Sequence, residues 1–325
     1  MPAEPRFTAY TLVFPPGSGD YVFGQYAFQS RAPEPAESRA AAVRSAFTGP
    51  NAPAVLERGS FTDSAGAHNA VWYAYWLDTA KHERWIAEGG RARAQRPQDT
   101  SAACWWEEAA VPVLAQSALQ THPTSAYPIS GLAQLLPQRV EDTHDYWGAI
   151  RDRIPDKAVH AGPVARPLRT EDGDTVEVSV DGGLCMIRFA QDWEHSTVFY
   201  EPFHHDVLPV MREAVSYLQQ HPEESGCVAA RDVRECGADG APLGRNSVLA
   251  WFSSMQSVLD WTRTHPTHQA IYAAFFKMIG ESGADLDVAL WNEAAVLPPG
   301  SVTATYTRCH DRTGFLPLVP KNALP

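Results

Sequence analysis

Three aromatic positions return at one fixed spacing. Tyr75, Trp76 and Trp85 in the first half are matched by Trp251, Phe252 and Trp261 in the second, each pair separated by the same number of residues. An internal repeat constrains the fold more than any composition figure, because each copy must build the same supersecondary unit. In the first copy, Tyr21 to Phe28 mixes aromatics and β-formers and reads as a strand, and Pro35 to Phe47 has helical composition. Ala70 to Trp76 is a second strand, and Asp78 or Thr79 caps a helix that carries His82 and Trp85. The second copy runs from a strand at Leu184 to Phe189, through a helix over Phe203 to Gln220 and a strand at Ser247 to Phe252, to a helix carrying Leu259 and Trp261. The pattern predicts an α+β chain of two ferredoxin-like halves whose antiparallel sheets face one another across a shared core. The boundary falls between residues 1–145, which include a Pro-rich connection, and residues 146–325.

That connection, residues 90 to 145, carries prolines at 97, 112, 123, 128 and 137 and the pair Trp105-Trp106. It reads as irregular chain with short helices, part of a pocket wall or an oligomer contact. Residues 1 to 20 read as an extended arm. Thr175 to Val180 alternates cleanly before Asp181-Gly182-Gly183, a hairpin signature. The tail after Gly314 shows no pattern.

Charge and cysteine usage exclude several functions. With a formal charge of −12 and 26 basic residues that form no dense cluster, the chain has no footprint for nucleic acid or an anionic membrane. Its longest apolar runs are too short to span a bilayer, and the first residues show no secretion signal. Five scattered cysteines with no C-x-x-C pair suit reduced thiols in a cytoplasm and give no zinc or iron–sulfur framework.

The stretch from Trp261 to Met278 holds the chemistry. A helix enters through Pro266, where the missing N–H costs nothing, and Ile271, Ala274, Phe275 and Met278 form an apolar stripe. His268 sits on or beside that stripe one turn earlier. A neutral imidazole before such a stripe suits an axial haem ligand, since the apolar side chains can cover a flat macrocycle. Taken alone the residues also permit a helix cap or a solvated histidine, and His265 is an alternative ligand. His204-His205 reads as capping or solvated, and His82 and His144 carry no special signal.

His265-Pro-Thr-His268 with Phe275-Phe276 resembles the haem-ligand region of the haem-containing aldoxime dehydratases. So do Asp145-Tyr-Trp-Gly148 through Arg153-Ile-Pro155, Gln191-Asp-Trp193, and Cys309-His310 followed by Thr313-Gly314. The blocks come in the family's order and cover about the C-terminal two-thirds of the chain. The resemblance implies an α+β barrel with flanking helices, haem b bound in the C-terminal half, and a homodimer. It makes His268 the iron ligand, with Phe275 and His310 against the cofactor and Arg153 orienting or stabilising the departing oxygen.

Elsewhere this sequence departs from the family pattern. Asn292, before Glu293, stands where the family has a histidine acid, and Phe189 stands where it has a substrate-binding serine. The family's upstream carboxylate has no counterpart between Leu119 and Tyr127. An amide donates and accepts hydrogen bonds but delivers no proton near neutral pH. The expected function is a haem b lyase acting on an aldoxime-like N–O substrate, its nitrogen on ferrous iron. The altered pocket points to a changed substrate or reaction. The alternatives are haem chemistry on an N–N bond, a rearrangement, or a haem sensor or carrier without turnover.

Overall fold

The computed structural model describes residues 7–95, 102–124, 126–127, 130–156, 158–171 and 174–320. Its strands in chain order are β1 (Ala9–Leu12), β2 (Tyr21–Ser30), β3 (Val55–Thr62), β4 (His68–Trp76), β5 (Ala103–Val111), β6 (Gln116–Gln120) and β7 (Gln138–Glu141). They continue with β8 (Val164–Glu171), β9 (Thr175–Asp181), β10 (Leu184–Asp192), β11 (Cys227–Cys236), β12 (Pro242–Phe252), β13 (Ala289–Leu297) and β14 (Val302–Thr307). The helices that position the site are α1 (Pro33–Ala42), α2 (Thr79–Ala87), α3 (Ala149–Arg153), α4 (Leu208–Gln220), α5 (Met255–Thr264) and α6 (Pro266–Ser282).

The strands pair antiparallel in one sheet, ordered β7-β1-β6-β13-β10-β12-β11-β3-β4-β2-β5-β14-β9-β8. Two blocks inside it share one arrangement, β5-β2-β4-β3 and β13-β10-β12-β11. In each, the chain runs strand, helix, strand, strand, helix, strand, so the repeat seen in the sequence is a repeat of topology. The blocks join where β3 pairs with β11. The remaining strands cross over: β1, β6 and β7 extend the second block, whereas β8, β9 and β14 extend the first.

Three expectations need correction. The stretch after Gly90 is not mainly irregular, because it supplies β5, β6 and β7 as well as short helices; Pro97 and Pro128 lie outside the described residues. The arm at the N-terminus contains β1, paired with β6 and β7, while residues 1–6 also lie outside the described residues. Asp181-Gly182-Gly183 is no hairpin. Gly182 does take a positive φ of 85°, but β9 pairs with β8 and β14, and β10 with β12 and β13, so the turn sends the chain across the sheet.

Alternation along each strand divides the core in two. Phe23, Tyr73 and Tyr75 of the first block and Met186, Trp251 and Trp291 of the second share one inner cluster. Charges sit there as well. Fully buried Arg188 donates to Glu57 at 2.8 Å, to Glu235 at 2.9 Å and to the Tyr75 hydroxyl at 2.8 Å, and that hydroxyl donates to Glu293 at 2.7 Å. Arg231 donates to Glu107 at 2.6 Å and to Gln25. Charges this deep persist only when paired and hydrogen-bonded, so each partner is committed to structure. The opposite faces lie under helices, β2 and β4 beneath α1 and α2, and β10, β12 and β13 beneath α4, α5 and α6.

Candidate active site

Two capped helices form the roof of a cleft. The Ser254 hydroxyl accepts from the Ser257 amide to start α5. Its last turn runs into His265, which has extended backbone and caps α6 while Pro266 occupies the first helical position. Below them, Phe189 of β10, Asn292 of β13 and Leu119 of β6 are direct cross-strand neighbours, because Asn292 pairs with both of the others. One side is closed by the loop from His144 to Gly148 and by α3. Asp145 and Gly148 take positive φ values of 66° and 101° there, which bend the loop sharply into the cleft. The cleft encloses about 1310 Å³, its open mouth included.

His268 projects into this space from the first turn of α6. Its ring meets Trp261 at 4.7 Å and Trp147 at 5.6 Å, and Trp147 also meets Tyr272 at 5.4 Å. Burial among these rings disfavours the imidazolium and pushes His268 down to about 4, against which the Thr262 carbonyl acts weakly. The ring is therefore neutral near pH 7. Its Nδ1 is enclosed with no hydrogen bond of normal geometry, leaving Nε2 as the nitrogen available to the cleft. His265 is engaged elsewhere. Its Nδ1 accepts from the Thr267 amide at 3.3 Å, and its ring lies against Tyr217 at 4.1 Å.

Arg153 lines the cleft and is anchored, donating from Nε to the Ser117 hydroxyl at 3.0 Å and from Nη1 to the Thr143 carbonyl at 2.8 Å. Burial lowers its guanidinium to about 10, which still leaves it cationic at neutral pH. The Asn292 Oδ1 is buried in the cleft without a hydrogen-bond partner. An orphaned amide oxygen at a cavity wall costs free energy unless a bound molecule satisfies it.

The fold thus brings His268, Arg153, Asn292 and Phe189 to one cavity. It does not bring Phe275 or His310. Phe275 lies among the side chains packed with Trp193, Phe203 and Met278 beneath α6; seven residues on, it shares a helix face with His268 but sits about 10 Å further along the axis, away from the cleft-lining turn. The His310 Nε2 lies 2.9 Å from Asp63 Oδ2 and its Nδ1 accepts from the Arg312 amide, so the ring fastens the C-terminal segment to the first block. In the sequence His144 carries no special signal, Asp145 stands only as part of the family-like block and Tyr272 is not singled out, yet all three line the cleft. The turn that aims the first two has no periodicity to reveal it.

The residues present fit a haem. The walls are dominated by Leu119, Ile150, Phe189, Leu259 and Leu290, suited to a flat apolar macrocycle, and the neutral His268 imidazole faces them. Among the described residues no group of three or more His, Cys, Asp or Glu side chains could hold a metal ion by itself. Metal binding here calls for a ligand that brings its own donors, which a porphyrin does.

An antiparallel α+β sheet with a largely apolar cleft and the neutral His268 imidazole at its roof fits a haem protein that admits a small molecule. Residues 22–315 match the haem-containing dehydratase family, and the chain belongs to it. A phenylacetaldoxime dehydratase of Bacillus sp. (strain OxB-1) is 28% identical over 97% of this chain and 92% of its own length. An aliphatic aldoxime dehydratase of Pseudomonas chlororaphis is 25% identical over 91% and 86%. A crystal structure of an aldoxime dehydratase in complex with butyraldoxime superposes with a TM-score of 0.86 at 21% identity, covering 96% of this chain and 89% of that one. The chain is accordingly a member of a family of haem-containing lyases, and no helix among its described residues is long and apolar enough to cross a membrane.

Proposed function

We propose that this protein dehydrates an aldoxime-type substrate to a nitrile, with His268 as the iron ligand. The observation that carries the reading is the neutral His268 imidazole opposite a sheet wall that presents an unpartnered amide. Haem, when bound, supplies a ferrous Lewis acid and electron source for the substrate nitrogen. The chain's own side chains do the rest. Phe189 and Leu119 keep the substrate dry, the Asn292 amide hydrogen-bonds it, and cationic Arg153 stabilises the oxygen as the N–O bond lengthens. The repeated strand order supports reading residues 1–145 and 146–325 as two ferredoxin-like halves. The inner cluster drawn from both supports their facing as a barrel.

Replacement of the family's acid by Asn292 favours a second reading, in which the preferred substrate is an N–O or N–N compound whose leaving group needs less protonation. One experiment separates the two. The ferrous protein is mixed with phenylacetaldoxime while the Soret band and nitrile are followed. A Soret shift with nitrile formation is the expected result. A shift without nitrile moves the assignment to the second reading, and no shift at all overturns both.

A further inference from the structure

Loss of the N–O hydroxyl requires a proton on the departing oxygen, and neither Asn292 nor Phe189 can give one. The cleft contains a group that can. His144 is 3% exposed, lines the cleft, and is covered by Phe7 at 5.7 Å. Its buried Nδ1 lies 3.0 Å from the Asp145 Oδ1, within ion-pair distance but without hydrogen-bond alignment, and its amide donates to the Asp142 carbonyl. Asp145 is the one carboxylate among the described residues that line this cleft, and it reaches His144 because its backbone holds a left-handed φ of 66°. A carboxylate beside Nδ1 fixes a histidine's tautomer and stabilises its imidazolium, an arrangement that recurs where histidine moves protons. Arg153 ties the segment in place through the Thr143 carbonyl, immediately before His144.

We propose that His144, oriented by Asp145, is the proton-transferring residue of this cavity and does the work that position 292 has lost. The proposal rests on the dehydratase reading above. Nδ1 is enclosed beside Asp145, which leaves Nε2 as the nitrogen available to the cleft. In the reaction R–CH=N–OH → R–C≡N + H₂O, the His144 imidazolium gives its Nε2 proton to the hydroxyl as the N–O bond breaks. The neutral ring then takes up the proton lost from the aldehydic carbon. One proton leaves the ring and one returns, with no net oxidation. The charged and titratable groups around it are Asp145 and Tyr146 on its own loop, Arg153 on α3, and His268 and Tyr272 on α6.

The first test reads the ring directly. In the carbonyl-ligated ferrous holoprotein, which is diamagnetic, long-range ¹H–¹⁵N NMR of the neutral His144 ring should find the proton on Nδ1, and Asp145→Asn should abolish that preference. A neutral ring protonated on Nε2 overturns the proposal. The second test reads turnover. His144→Gln should lower kcat for phenylacetaldoxime about a hundredfold and leave KM and the Soret band in place. Turnover within about twofold of wild type overturns it.

If wild type makes no nitrile, the dehydratase reading fails, and cyanide association with the ferric protein still tests the same ring, because HCN must surrender its proton to bind. Association about tenfold slower in His144→Gln supports the proposal, and equal rates overturn it. Where His144→Gln does not fold, Asp145→Asn, which keeps the ring, is measured in the same assays and read by the same limits.

Discussion

The two blocks of the sheet share a strand order but treat their helix-facing surfaces differently. In the first block, Trp72 on β4 pairs with Tyr26 on β2, which pairs with Trp106 on β5. Val248 lies at the repeat offset from Trp72, and it pairs with Phe189 on β10, which pairs with Asn292 on β13. A row of tryptophan, tyrosine and tryptophan in one block thus corresponds to valine, phenylalanine and asparagine in the other. The first row is sealed under α1 and α2, where Phe47, Trp76 and Trp85 complete a packed aromatic cluster. The second row is too small to fill the same space, and the result is the cleft. A binding site arises here by withholding side-chain volume from one copy of a repeated unit, while the other copy spends that volume on stability.

Removing the proposed iron ligand of the open copy, His268, should have the largest effect. On the proposal that His268 is the axial ligand, His268→Ala should abolish the Soret band of the purified protein while circular dichroism stays native, since His265 is occupied as a helix cap. An undiminished band would break the assignment.

Next in size is a stability contrast. Trp85 is 1% exposed, and its indole donates to the Ala46 carbonyl at 2.8 Å. Trp85→Ala should therefore cost about 3–5 kcal/mol through a cavity that cannot collapse. Phe189→Ala enlarges a space that already exists and should cost less than about 1.5 kcal/mol. Urea unfolding of the two variants checks the pair, and equal losses would show that the open copy is as tightly packed as the closed one.

Activity gives a smaller signal. Asn292→His with Phe189→Ser, which restores the residue types at the equivalent family positions, should raise nitrile formation by about tenfold, less than the roughly hundredfold or more of a sole general acid because His144 already supplies one. The same pair should rescue His144→Gln. A double variant no faster than wild type would mean that the sheet wall does not contact the departing oxygen.

How much of this was legible beforehand depended on what each residue had to partner. Strands at Tyr21, Ala70, Leu184 and Ser247 announced themselves because both faces are apolar or aromatic, and Asp78 does cap α2, accepting from the Ala80 and Lys81 amides. In contrast, β5 was hidden by Glu107 and Glu108. These adjacent acids are buried within the strand because Arg231 and Tyr306 meet the first and His82 and Arg91 the second. Those partners are remote in sequence, and no local pattern encodes them. His268, Arg153, Asn292 and Phe189 were found through resemblance, whereas His144 required the turn at Asp145. The error at Asp181-Gly182-Gly183 has the same origin, since a turn's sequence gives its bend but not the strand it delivers the chain to.

Acid should separate the copies most finely. Burial lowers His268 from 6.5 to about 4, so between those values the unfolded chain binds a proton that the folded, haem-free chain refuses. Stability from the open copy therefore falls as pH drops through that window, by no more than about 1.4 kcal/mol per pH unit. In the closed copy, burial alone would raise Glu108, but His82 and Arg91 outweigh it and hold its carboxyl below 4.5. Its contribution is complete above the unfolded value and is lost only as pH falls through the lower folded one. In thermal melts of haem-free protein, His268→Phe should flatten the dependence of Tm on pH between about 6.5 and 4, and Glu108→Gln should flatten it below about 4.5. If Glu108→Gln instead flattens the upper window, the acid response belongs to the packed copy and the cleft is not where protonation first acts.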